Sequence, residues 1–175
     1  MPGFPDTFRN VREIYGNLIK GFHISRQQLN LYEELQELEE DYQVYFQQLG
    51  YKLISDPNGF YYFYHDETAQ RSGKTDSMLL FMAVTVDVLS DNGEAPYDKI
   101  INDDLSCSEL KFLIKEKHDE LILQQFENVS CDDFVNKSIG HLETYGFAQV
   151  DGDYLNFNTP IYRFLNAIKA SEVDV

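Results

Sequence analysis

Tryptophan is absent, cysteine occurs only at positions 107 and 131, and Lys and Arg together number 14 against 30 Asp and Glu in a chain of 175 residues. Two cysteines supply neither a disulfide framework nor a four-cysteine zinc site, so Cys107 and Cys131 are expected to be reduced thiols in or near a core. The shortage of cations leaves a net charge of −16, the wrong sign for a free-standing protein that grips phosphates. No run approaches the ~18 consecutive apolar residues of a membrane span. The start, Met1-Pro2-Gly3-Phe4-Pro5-Asp6, lacks the basic-then-apolar layout of a signal peptide, and a cytoplasmic protein is expected. What the chain does have is core material: 43% hydrophobic residues, with 13 Phe and 12 Tyr. That suffices for one ordinary domain or two small ones.

The stretch from Gly21 to Tyr64 is the most ordered in pattern. A short extended piece, Phe22-His23-Ile24, leads to Ser25, a residue suited to capping a helix. Leu31, Leu35, Leu38, Tyr42, Tyr45 and Leu49 then recur at steps of four and three, which predicts one long helix ended by Gly50. Tyr51 to Ser55 and Phe60 to Tyr64 flank Asp56-Pro57-Asn58-Gly59, and so read as a β-hairpin. Alternation sends Tyr61 and Phe63 to one face and Phe60, Tyr62 and Tyr64 to the other. One set must pack inward. The other is expected either to dimerise or dock a partner strand, or to be covered by the protein's own termini.

The same order returns near the C-terminus. Leu105-Ser106-Cys107 precedes a short helix through Leu110 and Leu113, then a helix from about Asp132 to Tyr145. Gly146 stops it, and Phe147–Val150 and Tyr154–Phe157 flank an Asp-Gly turn. Leu49-Gly50-Tyr51 and Tyr145-Gly146-Phe147 occupy matching places, as an internal duplication requires. Helix, short strand, two helices and a hairpin is the order of a winged helix. Asp76 to Leu89 reads as a buried helix joining the halves, Asp91 to Pro96 as an exposed loop, and Pro160 as the start of a closing helix. The expected fold is therefore mainly α with small β-hairpins, an α+β protein of two tandem winged-helix domains, 1–74 and 75–175, the second including the joining helix.

Chemistry is sparse. Arg71-Ser72-Gly73-Lys74-Thr75 sits between a strand and a helix, as a phosphate-binding loop would, but the glycine required five positions before Gly73 is Thr68. Arg71 and Lys74 are left as an auxiliary DNA contact. The four histidines, at 23, 65, 118 and 141, show no metal-ligand spacing, and no nucleophile-elbow sequence occurs, so neither a metal, a cofactor nor a catalytic site is expected. From Gln27 to Tyr51 there is no Lys or Arg, while Glu33, Glu34, Glu37, Glu39, Glu40 and Asp41 are acidic. Such a helix repels a DNA groove and reads either as a surface for a basic or amphipathic protein or as a plainly solvated face. Surface chemistry thus nominates Phe60, Tyr62 and Tyr64 of the wing and Glu33, Glu37 and Glu40 of the acidic helix as partner contacts.

Phe22-His23-Ile24, the wing Asp56-Pro57-Asn58-Gly59-Phe60-Tyr61-Tyr62, the apolar joining helix, Leu142-Glu143-Thr144-Tyr145-Gly146-Phe147, Phe157 and Ile161-Tyr162-Arg163-Phe164 together resemble MukE and the shorter MksE proteins. These are the kleisin-interacting tandem winged-helix subunits of bacterial condensins, and the likeness runs from about Phe8 to Ala170. The resemblance, closer to the MksE branch, implies a homodimer that clasps a MukF- or MksF-like kleisin beneath a MukB- or MksB-like ATPase. It also implies a non-catalytic, nucleoid-associated part in chromosome condensation and segregation, or in plasmid defence, with DNA touched only inside the assembled complex. The competing reading is a winged-helix transcription regulator that binds duplex DNA alone.

Overall fold

The computed structural model describes residues 8–64, 73–125 and 129–173. The chain divides into two compact units, Met1–Ala69 and Gln70–Val175.

The first unit runs α1 (Val11–Leu18), β1 (Ile24–Ser25), a 3-10 turn (Arg26–Gln28), α2 (Leu29–Glu37), α3 (Glu39–Gln48), β2 (Lys52–Asp56) and β3 (Phe60–Tyr64). Ser25 starts the helical region through a reciprocal cap. Its Oγ accepts the Gln27 N–H, and its own N–H donates to the Gln28 side chain at 3.1 Å. The strands form an antiparallel sheet in the order β1-β3-β2, with Ile24 opposite Tyr61 and Leu53 opposite Phe63. That register points Tyr61 and Phe63 into a core with Ile14, Leu18, Leu35, Tyr42 and Phe46. Rings meet there at favoured geometries: Phe46 and Phe63 edge to face at 4.9 Å, Tyr51 and Phe63 stacked at 4.9 Å.

The single long helix expected from Leu31 to Leu49 is in fact two. The chain breaks at Leu38, whose backbone lies at φ −120° and ψ 31°. The break re-aims everything after it. Tyr42 and Phe46 become fully buried, whereas Leu49, which an unbroken stripe would have buried, is 51% exposed. A continuous helix satisfies local periodicity as well, but only the bent pair closes over the sheet, and burying Phe46 is worth about 2 kcal/mol or more.

The second unit runs α4 (Gly73–Asp91), α5 (Pro96–Asn102), β4 (Leu105–Ser106), α6 (Cys107–Gln125), α7 (Cys131–Thr144), β5 (Ala148–Asp151), β6 (Tyr154–Phe157), a 3-10 turn (Thr159–Ile161) and α8 (Tyr162–Val173). From α5 to β6 it repeats the series from α1 to β3, and its sheet has the matching order β4-β6-β5. Both third helices stop with the same lock. Gly50 and Gly146 lie at φ +84° and +81°, and the next N–H reaches back to the helix, Tyr51 to the Phe46 carbonyl at 2.9 Å and Phe147 to that of Leu142 at 2.8 Å. The fold is thus mainly helical with two small antiparallel sheets, each within a winged-helix series.

Two expectations for this unit change. The first helix of the second copy, α5, begins at Pro96, where only the end of a loop was expected; proline sits in its first turn, where its missing N–H costs nothing. The short helix through Leu110 and Leu113 is the 19-residue α6. The joining helix α4 is an integral part of the second unit, packed on α5, α6, α7 and α8. Phe81 and Met82 are fully buried there, and Ser77 meets Ser138 of α7 at 2.8 Å in the interior. Cys107 and Cys131 are both free and buried, and burial pushes both thiols above their ordinary range.

Candidate functional site

A winged helix that reads DNA lays its third helix in the major groove and its hairpin along the backbone. Here the exposed side chains of α3 are Glu40, Asp41, Val44, Gln47 and Gln48, with no cation among them. The exposed part of α7 offers one lysine, Lys137, beside Asp132, Asp133 and Glu143. Neither helix can supply the row of cations that phosphates require.

The acidic run divides into two kinds of carboxylate. Glu33, Glu37, Glu40 and Asp41 are exposed. Glu34 is buried and structural: both its oxygens accept the Asn10 N–H at 3.1 Å, and it also receives the Asn10 side-chain amide at 2.7 Å and the Tyr42 hydroxyl at 2.6 Å. Burial, then this hydrogen bond, raises Tyr42 far above the ordinary phenol range. Glu39 ties α3 to the wing by accepting from Ser55 at 3.0 Å and Tyr61 at 2.8 Å, and burial with that bond pushes Tyr61 up to about 12. The inward role of Glu34 had a signal in the sequence. It falls three residues after Leu31 and four before Leu38, on the buried stripe itself.

The bend at Leu38 opens two adjoining clefts, of about 280 and 400 Å³, that share Glu37 and Leu38. Glu33 and Arg9 line the first; Glu40 and Asp41 line the second. Exposed carboxylates beside a half-buried leucine suit a lysine or arginine, whose stem is apolar and whose head is charged. All three nominated acids therefore border the bend.

The wing residues separate. Phe60 is only 1% exposed and offers no surface to a partner, because β1 pairs with β3 at this point and His23 comes to 6.0 Å of its ring. Tyr62 is half-buried, stacked on His23 at 5.3 Å. Tyr64 is 44% exposed, with the Lys52 ammonium 5.5 Å from its ring. Lys74 opens α4 and reaches the Tyr145 hydroxyl at 3.4 Å, while Arg71 lies outside the described residues. Among the described residues, no cluster of three or more His, Cys, Asp and Glu is placed to hold a metal ion, and no helix is long and apolar enough to cross a membrane.

Residues 9–169 match the family described as condensin complex protein MksE. The chain belongs to the MksE family. No curated protein matches it. As an MksE-family chain it is a condensin complex subunit.

Sequence reasoning passed over one polar group of this MksE-family chain. Asp153, in the second wing's turn, accepts from Ser106 Oγ at 2.7 Å, Ser108 Oγ at 2.5 Å and the Ser108 N–H at 3.1 Å, while its carbonyl takes the Cys107 N–H at 2.7 Å. It thereby anchors the wing to the N-terminus of α6, where a negative charge is favoured. The bonds from Ser108 and then Ser106 hold its carboxyl below the ordinary range. Folding is therefore favoured by this group above the ordinary carboxylate pKa, and that contribution disappears as pH falls through the lowered value. Asp153→Asn is expected to melt below wild type at neutral pH and to converge on it in acid; a constant gap in melting temperature across the series would refute the tie.

Proposed function

We propose that this subunit is a non-catalytic adaptor that binds a kleisin of the MksF/MukF type and, through it, an MksB/MukB-like ATPase. It acts as a homodimer of chains with two winged-helix modules, 1–74 and 75–175, in the cytoplasm at the nucleoid. Its task is to regulate DNA capture during chromosome condensation and segregation, or in plasmid defence, touching DNA only within the assembled complex. The observation that carries this reading is the charge on the third helix of the first unit, whose exposed side chains include carboxylates and no cation. A DNA-reading scaffold of that sign has a polypeptide as its suitable ligand. The clefts at Leu38 favour a kleisin segment that combines basic and apolar side chains.

Two measurements on the purified chain test it. Mixed with the kleisin of its own system, it is expected to form a stoichiometric complex in size-exclusion chromatography that survives moderate salt. In a gel shift at physiological salt, it alone is expected to leave duplex DNA unshifted. Tight, sequence-selective duplex binding with a steep salt dependence would replace the adaptor by the transcription-regulator reading.

A further inference from the structure

Asparagine followed by glycine occurs twice in this chain, at Asn58-Gly59 in the turn of the first wing and at Asn92-Gly93 just past the end of α4. Such a pair carries its own chemistry. Because the glycine has no side chain to obstruct it, its backbone nitrogen can close on the side-chain carbonyl carbon of the asparagine before it. Both asparagines are exposed, so residue type and exposure alone would make the two places equivalent.

Hydrogen bonding separates them. One carboxylate oxygen of Asp56 accepts both the Asn58 N–H and the Asn58 side-chain amide at 2.9 Å, while the Asp56 carbonyl takes the Gly59 N–H, also at 2.9 Å. This Asx turn fixes the carbon to be attacked and the nitrogen that would attack it, at the tip of a hairpin paired from Lys52–Tyr64 to Asp56–Phe60. At the other pair, the Gly93 N–H donates to the Ser90 carbonyl at 2.9 Å, but the Asn92 side chain has no hydrogen-bond partner among the described residues. That side chain can turn toward Gly93 without breaking a bond. The bond that does hold Gly93 belongs to the last turn of a helix, where local opening costs least.

We propose that Asn92 is a site of spontaneous deamidation in the folded protein, and that the Asp56 cap protects Asn58 from the same reaction. The Gly93 nitrogen attacks Cγ of Asn92 and forms a new N–C bond; the Cγ–Nδ2 bond breaks, and ammonia leaves with the proton that Gly93 sheds. Water, the one co-reactant, then opens the cyclic imide at either carbonyl and yields aspartate or isoaspartate. The product places a negative charge at the C-terminal end of α4, where the helix dipole disfavours it, next to the Asp91 carboxylate that pairs with Lys117 of α6 at 2.8 Å. Asn92 lies outside the residues assigned to kleisin capture.

The test incubates the full chain at mildly alkaline pH and digests samples with trypsin, which places the two pairs on separate peptides, 53–71 and 75–99. Mass spectrometry follows the conversion of amide to carboxylate in each. In the folded chain Asn92 is expected to convert at least about tenfold faster than Asn58, the factor that extra well-made hydrogen bonds impose. In urea the two rates are expected to fall within about a factor of three of each other, since the unfolded chain keeps neither turn. Asp56→Ala is expected to speed Asn58 and leave Asn92 unchanged. Equal rates in the folded chain, faster conversion of Asn58, a difference that persists in urea, or an unchanged Asn58 rate in Asp56→Ala would overturn the proposal.

Discussion

Glu34→Ala is expected to destabilise the protein by about 3 kcal/mol, because it strands the Asn10 N–H, the Asn10 amide and the Tyr42 hydroxyl in a largely buried site. Glu34→Gln keeps one carbonyl oxygen as acceptor and is expected to lose about half as much. Glu33→Ala, one residue away and exposed, is expected to change stability by less than about 0.5 kcal/mol. Urea unfolding followed by circular dichroism measures all three. Equal effects at positions 33 and 34 would mean that the carboxylate does not hold α1 against α2 and α3.

The combined reversal Glu33→Lys/Glu37→Lys/Glu40→Lys is expected to weaken kleisin capture more than about tenfold at physiological salt, with the loss shrinking as salt is raised. All three side chains are exposed, so the variant should fold and melt close to wild type. Calorimetry of the kleisin titration at two salt concentrations reads the effect. Unchanged affinity at low salt would leave these carboxylates as a solvated face and move kleisin capture elsewhere on the chain. The two experiments are expected to divide the acidic run by function, with Glu34 acting in folding and Glu33, Glu37 and Glu40 in the proposed recognition.

That division marks the limit of what a linear pattern conveys. The hairpins were legible because their turns depend on residues with special backbone freedom: Gly59 at φ +84° beside Asp56-Pro57-Asn58, and Gly152 at φ +61° between two aspartates. The duplication was legible for the same reason, since Gly50 and Gly146 mark equivalent helix ends. The break at Leu38 was not. Leu38 carries neither the proline nor the glycine that announces an interruption, and its irregular backbone is set by packing beyond the segment. Phe46 illustrates the consequence, being absent from the apparent stripe and fully buried in the core. At the wing, alternation correctly placed Tyr61 and Phe63 inward, but strand periodicity could not reveal that β1 and His23 would cover Phe60 on the other face.

The order of the chain by itself determined the local grammar: caps, turns, two matching helix–hairpin series and an excess of negative charge. These follow from interactions among near neighbours and from composition, which need no knowledge of where distant segments lie. Tertiary structure alone decided where the helix breaks at Leu38, which tyrosine is exposed, and where Lys74 meets Tyr145 across 71 positions. Each of those depends on segments far apart in sequence excluding water from one another, and the free energy of that burial overrides the weaker preferences of any single stretch.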